Sequence, residues 1–233
     1  MAFSSTFLMI SAFFHLYLQR FSNLISMANH HTASSNYRQT LRQRILAAAM
    51  MAFRLKGVKA VRMDDIASQL SISKRTLYEI YSNKELLLYE CVRDHDETME
   101  RLLAEQITAE SSVMDILICF MRLHIEDSSK TNPQFYVELV KYPRVKQYIE
   151  ERRQKQSSRA TGFMLRGVEE GFFRKDINYQ IFNIMIDAFM MQVVERELYK
   201  TIPLSEIIQN VIIVILRGFC TDKGLAYINQ LEL

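Results

Sequence analysis

Residues 44–88 read RILAAAMMAFRLKGVKAVRMDDIASQLSISKRTLYEIYSNKELLL. Leu41, just upstream, with Ile45, Ala48, Ala49, Ala52 and Phe53, forms one stripe of a 3.6-residue period and predicts an amphipathic helix. Gly57 follows its last periodic turn, where a left-handed C-terminal cap costs glycine least. A second, short helix is expected from Met63 to Leu70, with Ile66, Ala67 and Leu70 inward. Asp64 and Asp65 in its first turn suit the positive end of the helix dipole. After the tight connection Ser71-Ile72, Ser73 is a good N-cap for a third helix reaching about Tyr81. Leu77 and Ile80 point inward, which leaves Lys74, Arg75, Thr76, Tyr78 and Glu79 outward. Ser82-Asn83-Lys84-Glu85 then has the pattern of a capping box, with Ser82 as the cap, and opens a long fourth helix. Two short helices joined tightly, the second leading with Lys, Arg, Thr and Tyr, have the architecture that enters a DNA major groove.

Charge agrees with that reading. Between Tyr37 and Lys84 ten Lys/Arg stand against three Asp/Glu, a local net charge of +7. The whole chain carries only +3, so the rest sums to −4. A basic segment on a mildly acidic body is the footprint of contact with a polyanion. Six Gly and three Pro in 233 residues leave few turns, which disfavours a strand-rich fold. The three cysteines, Cys91, Cys119 and Cys220, are scattered without C-x-x-C spacing, so structural thiols and a reducing, cytoplasmic location are expected.

The stretch resembles the TetR family of transcription regulators. The resemblance rests on the Ala-rich helix with Phe53, on Gly57, Asp65-Ile66-Ala67, Ser73, Thr76-Leu77-Tyr78, Tyr81 and Lys84-Glu85. It implies an all-α chain: a three-helix N-terminal DNA-binding domain with a helix-turn-helix, then a bundle of about six helices that dimerises. It further implies that Tyr78 and Lys84 contact phosphates, that Thr76 sits at the groove, and that the chain near Arg62 touches the DNA backbone. Ser73, Lys74 and Arg75 complete the expected DNA-binding set, with Arg75 the better base reader because its fork matches guanine O6/N7. Two positions depart from the family pattern. Ser71 stands where glycine is usual, and Arg62 stands where threonine would cap the second helix.

The expected division is an extension or flexible arm over 1–36, a helix-turn-helix domain over 37–83, and a sensing and dimerisation body over 84–233. Within the extension, residues 1–26 contain an apolar run, Thr6–Leu18, that is short for a membrane span and lacks the flanks of a signal peptide. Translation is expected to begin at Met27; an interfacial anchor and an added helix are the competing readings. No membrane partner is expected.

In the body, helices are expected over Lys84–Ile107, Val113–Asp127, a short piece between Pro133 and Pro143, Arg144–Gly171, Ile181–Leu198 and Ile207–Phe219. The last two are apolar on most sides and so must be buried on most sides. Packing against their copies across a homodimer interface at about 180–220 is the economical solution. An unidentified small-molecule effector is expected inside the body, with the polar residues His124, Asp127, Asn183 and Asp187 as candidate ligands. No cofactor and no metal is expected. Of the rival classes, one is a DNA-binding protein with no effector, constitutive or architectural. The other is an all-helical metal or thiol enzyme built on Cys91, Asp94, His95 and Asp96. No phosphate loop, nucleophile elbow or zinc-protease motif supports an enzyme.

Overall fold

The computed structural model describes residues 36–229. The expectations for the extension before Asn36 fall outside the described residues. Among those described, the chain is helical with one isolated antiparallel bridge, Phe173 to Cys220, and no named strand.

Helix α1, Asn36–Lys56, buries Leu41, Ile45, Ala49 and Phe53 along the expected stripe, with Leu46 beside it. It ends where the sequence predicts: Gly57 adopts φ 82° and donates its N–H to the Phe53 carbonyl at 2.9 Å. A side chain there would also press on Glu138, since an added Cβ would lie 3.1 Å from Oε2. Helix α2, Met63–Gln69, packs on α1, and α3, Lys74–Ile80, packs on α2, with Ile66, Ala67 and Leu77 buried.

The turn between α2 and α3 closes in a left-handed conformation at Ser71, φ 54°. The Ile72 N–H reaches back to the Ala67 carbonyl at 3.0 Å, the long bond of a Schellman motif. A Cβ in this conformation costs about 1–2 kcal/mol, whereas glycine adds about 0.5–1 kcal/mol of chain entropy to lose. Ser71→Gly is therefore expected to stabilise the protein by about 0.5–1 kcal/mol and raise Tm by a few degrees in calorimetry. A lower Tm would show that the turn is unstrained.

Helix α4, Lys84–Gln106, departs from the expected cap. Asn83, not Ser82, accepts the Leu86 N–H, at 2.8 Å. Glu85 does not fold back on its own cap; it accepts the Arg144 N–H at 2.9 Å, at the start of a distant helix. Two adjacent residues were competent to cap, and a free amide from the body claimed the carboxylate. The body continues with α5, Val113–Ser129; α6, Pro133–Leu139; α7, Pro143–Glu169; α8, Tyr179–Glu195; a 3-10 turn at Leu198–Lys200; and α9, Leu204–Phe219. Helix α5 is central: Met114, Ile116, Leu117, Phe120 and Met121 are all buried, and α4, α7 and α9 pack around it.

A further helix, α10 at Asp222–Asn229, was not expected, so α8 and α9 are not the last two. It is short. Gly224 sits where an added Cβ would lie 2.6 Å from the Phe172 carbonyl, and the Tyr227 hydroxyl bonds Asp115 on α5. On the single chain the expected interface helices α8 and α9 are not equally exposed. Helix α9 buries Leu204, Ile207, Ile208, Ile215, Leu216 and Phe219 within its own chain, leaving Val214 71% exposed. Among the described side chains of α8, Ile181, Ile184, Met185 and Phe189 are exposed, at the i, i+3, i+4, i+8 spacing of a single face. Composition alone made the two helices look equivalent; the body covers one of them.

Candidate nucleic-acid interface

The leading end of α3 is built by its cap. The Ser73 hydroxyl accepts the Thr76 N–H at 3.0 Å and lies 2.8 Å from the Thr76 hydroxyl, so both residues are turned toward the helix terminus. Fully buried Leu77 anchors the opposite side. Tyr81, just past the helix, is buried beneath the Arg42 guanidinium, 5.6 Å from its ring centroid. Lys74, Arg75 and Tyr78 therefore face solvent as expected, with Thr76 half-buried beside them.

The exposed cations are not idle in the free protein. Lys74 Nζ lies 2.5 Å from Asp64 Oδ2 in the first turn of α2, and Arg75 Nε lies 2.8 Å from Glu79 Oε1. The hydrogen bond and charge of Asp64 raise the Lys74 pKa, so the ammonium stays charged. Exposed pairs of this kind contribute little to stability and can exchange a carboxylate for a phosphate at small cost.

Arg62 caps α2 without a side-chain acceptor; the Asp65 carboxylate instead takes the Arg62 N–H at 2.8 Å. Losing the hydroxyl that threonine would supply thus leaves only half of a capping box and an exposed guanidinium. Lys84 opens α4 and donates from Nζ to the Val61 carbonyl at 2.6 Å. Burial lowers its pKa, against the opposing charges of Glu138 and Asp65. Contacts link the set into one surface: Lys84 touches Val61, Val61 precedes Arg62, and Asp64 in the same turn touches Lys74 on α3.

Of the four candidate effector ligands, only His124 and Asp127 have described side chains, one turn apart on α5. His124 is buried in α5 against Phe120, ring centroids 4.4 Å apart, and burial holds its pKa down to about 3 despite the nearby Asp127 charge. Asp127 is taken up elsewhere: Oδ1 lies 2.5 Å from Arg54 Nη2 of α1 and Oδ2 lies 3.3 Å from His95 Nε2 of α4. Burial opposes ionisation of this carboxyl, but the hydrogen bond and charge of His95 and the charges of Arg54 and His124 outweigh it and lower its pKa. The side chains of Asn183 and Asp187 lie outside the described residues. An open pocket of about 600 Å³ lies away from the body core, between α1 and α4, lined by charged groups including Arg38, Arg42, Glu90 and Arg93. Arg54 is the residue that sequence reasoning missed. Its one signal was a cation late in an otherwise apolar, Ala-rich helix.

The thiol and metal reading is corrected in its geometry. Of Cys91, Asp94, His95 and Asp96, three are engaged with other parts of the fold. Cys91 is buried, donates weakly to the Leu46 carbonyl at 3.6 Å, and has its pKa pushed up by burial. His95 pairs with Asp127, and Asp96 binds Arg152 and accepts the Tyr148 hydroxyl at 3.1 Å. Among the described residues, no group of three His, Cys, Asp or Glu could hold a metal ion, and no helix is long and apolar enough to cross a membrane.

Residues 45–91 match the family model described as bacterial regulatory proteins, tetR family. A comparison with curated proteins finds no match. Among solved structures, the chain resembles the ketosteroid transcriptional regulator KstR2 of Mycobacterium tuberculosis at 22% identity, covering 83% of this chain and 100% of that one, with a TM-score of 0.53. A putative transcriptional regulator from Saccharomonospora viridis, solved in complex with choline, is 19% identical over 78% of this chain and 99% of its own, with a TM-score of 0.62. The fatty acid degradation regulator FadR from Bacillus halodurans is 16% identical over 79% and 97%, with a TM-score of 0.57. The helix-turn-helix segment is of the tetR family, and the chain has the all-α fold of its regulators.

Proposed function

We propose that this protein is a dimeric one-component transcription regulator, a repressor, that binds a palindromic operator and is released by a small organic effector. The observation that carries the reading is the contiguous cationic surface at the Ser73-capped end of α3. Residues 37–83 form the DNA-binding domain and 84–233 the sensing and dimerisation body. Helix α3 enters the major groove. Arg75 reads a base, Lys74, Tyr78, Lys84 and the chain at Arg62 hold phosphates, and Ser73 and Thr76 line the groove. In this role the protein is not an enzyme.

The exposed apolar face of α8, with Val214 of α9, supports a two-fold interface between copies, because contiguous apolar surface of this kind marks an interaction site. Two subunits present two recognition helices to half-sites about one helical turn apart. The structural relatives include a ketosteroid regulator, a regulator solved with choline and a fatty acid degradation regulator, so they support an organic effector without fixing its class. Effector binding selects a body conformation whose recognition helices are wrongly spaced for the operator, with α4 as the lever.

Selection from a randomised duplex library should return a palindromic site. On that site, Lys84→Ala should weaken binding to selected and scrambled duplexes alike and reduce the salt slope by about one phosphate contact. An unchanged slope would remove Lys84 from the contact set. If the wild-type protein enriches no sequence, the regulator reading fails.

A further inference from the structure

We infer that Arg54 and Asp127 are positioning residues through which the body sets the pose of the helix-turn-helix, an inference that rests on the regulator reading above. The last turn of a helix leaves its carbonyls without intrahelical partners. At the end of α1 the body supplies them. The Asn132 N–H donates to the Arg54 carbonyl at 2.8 Å, and Asn132 Nδ2 reaches the Leu55 carbonyl at 3.4 Å. In return the Arg54 guanidinium enters the corner between α5 and α6. Nη2 binds Asp127 Oδ1 at 2.5 Å and the Asp127 carbonyl at 2.7 Å, while Nε donates to Thr131 Oγ1 at 2.8 Å. Five residues further on, the Lys59 N–H donates to the buried Glu138 carboxylate of α6 at 2.6 Å.

Asp127 is thus a junction of three helices. Its carboxylate binds α1 through Arg54 and α4 through His95, while its backbone belongs to α5. Helix α5 is also the central wall of the body, so anything that displaces its buried face displaces this corner. Helix α2 packs on α1, and α3 packs in turn on α2. Both members of the pair are mostly desolvated, so the bonds have no adequate substitute in water at the same place: the corner either keeps α1 in register or releases it. That all-or-none character distinguishes a coupling element from a deformable contact. The lever is therefore not α4 alone; α1 is gripped as well.

Coupling is reciprocal, so DNA bound at α3 must be felt at the corner. The test is hydrogen exchange of the full chain with and without the duplex that wild-type protein selects. In wild-type protein, DNA is expected to slow exchange at 62–84 and also at 124–138, the latter by about five-fold or more. Arg54→Met combined with Asp127→Asn removes both charges without stranding either. Saturated with the same duplex, it should keep the protection at 62–84 and lose that at 124–138. Thr131→Val, which deletes one bond and leaves the ion pair, should give a partial loss and serves if the double variant does not fold. A merely structural role would lower overall protection without changing the DNA-dependent difference. Persistence of that difference in the variants, or its absence from wild-type protein that binds the duplex, overturns the inference. Failure of wild-type protein to select any duplex instead overturns the regulator reading itself.

Discussion

Ile184→Glu is expected to convert the proposed dimer to a monomer, weakening self-association about a thousand-fold or more, with operator affinity falling alongside. Ile184 is 67% exposed on the single chain, in the middle of the apolar face formed by Ile181, Met185 and Phe189. Burying one isoleucine contributes about 1.5–3 kcal/mol, and a two-fold axis counts each substitution twice. Loss of both burials alone removes about 3–6 kcal/mol, and desolvating two carboxylates costs more. At about 1.4 kcal/mol per factor of ten, a thousand-fold change is the modest end. Sedimentation velocity across a dilution series checks the first part, and binding to the selected palindrome checks the second. A variant that sediments as wild type would place the interface elsewhere.

Acidification provides the second large effect. His124 is buried, and desolvation holds its folded pKa near about 3, well below its ordinary 6.5. The sign follows from which state binds the proton. Below pH 6.5 the unfolded chain gains a proton that the folded protein refuses until about pH 3. Stability is therefore complete above pH 6.5 and falls continuously on acidification toward pH 3. Between pH 7 and pH 5 the loss is about 2 kcal/mol, a fall in Tm of about 4–8 °C. Asp127, whose pKa is lowered from 3.8, acts only at more acid pH: its stabilisation is present above that value and lost below it. His124→Leu removes the proton-binding group while keeping an apolar side chain against Phe120, so the dependence between pH 7 and pH 5 should flatten. A variant with the wild-type slope would mean that some other group carries it.

Much of the N-terminal architecture was legible because its signals are local. The stripe Leu41, Ile45, Ala49, Phe53 fixes the buried side of α1, Gly57 its end, and Ser73 the start of α3. Ser71 was legible too, as a residue standing where the chain must turn left-handed. The cap of α4 was less so. Ser82 and Asn83 are both good caps, and the choice fell to Asn83 while Glu85 was drawn to the Arg144 amide fifty-nine residues away. Helix α10 was missed because eight residues after a bridge carry too short a pattern to declare themselves.

The candidate effector residues show the same boundary. A polar residue on an apolar helix announces only that it needs a partner, and Asp127 found one in Arg54, seventy-three positions earlier. Periodicity cannot report such a pairing, because it describes one helix at a time. So it was with α8 and α9, alike in composition, of which the body covers most of α9 and leaves Ile181, Ile184, Met185 and Phe189 of α8 in solvent.

What the sequence determined by itself is the helices other than α10, the turn and caps that present Lys74, Arg75 and Tyr78, and the basic segment around them, since each follows from neighbours within a few residues. Only the tertiary structure decided that Asp64 holds Lys74, which apolar face lies open, and that the end of α1 is fastened to the body at Asp127. Those outcomes depend on which helices meet in space, and at Arg54 and Asp127 burial then makes the pairing obligatory.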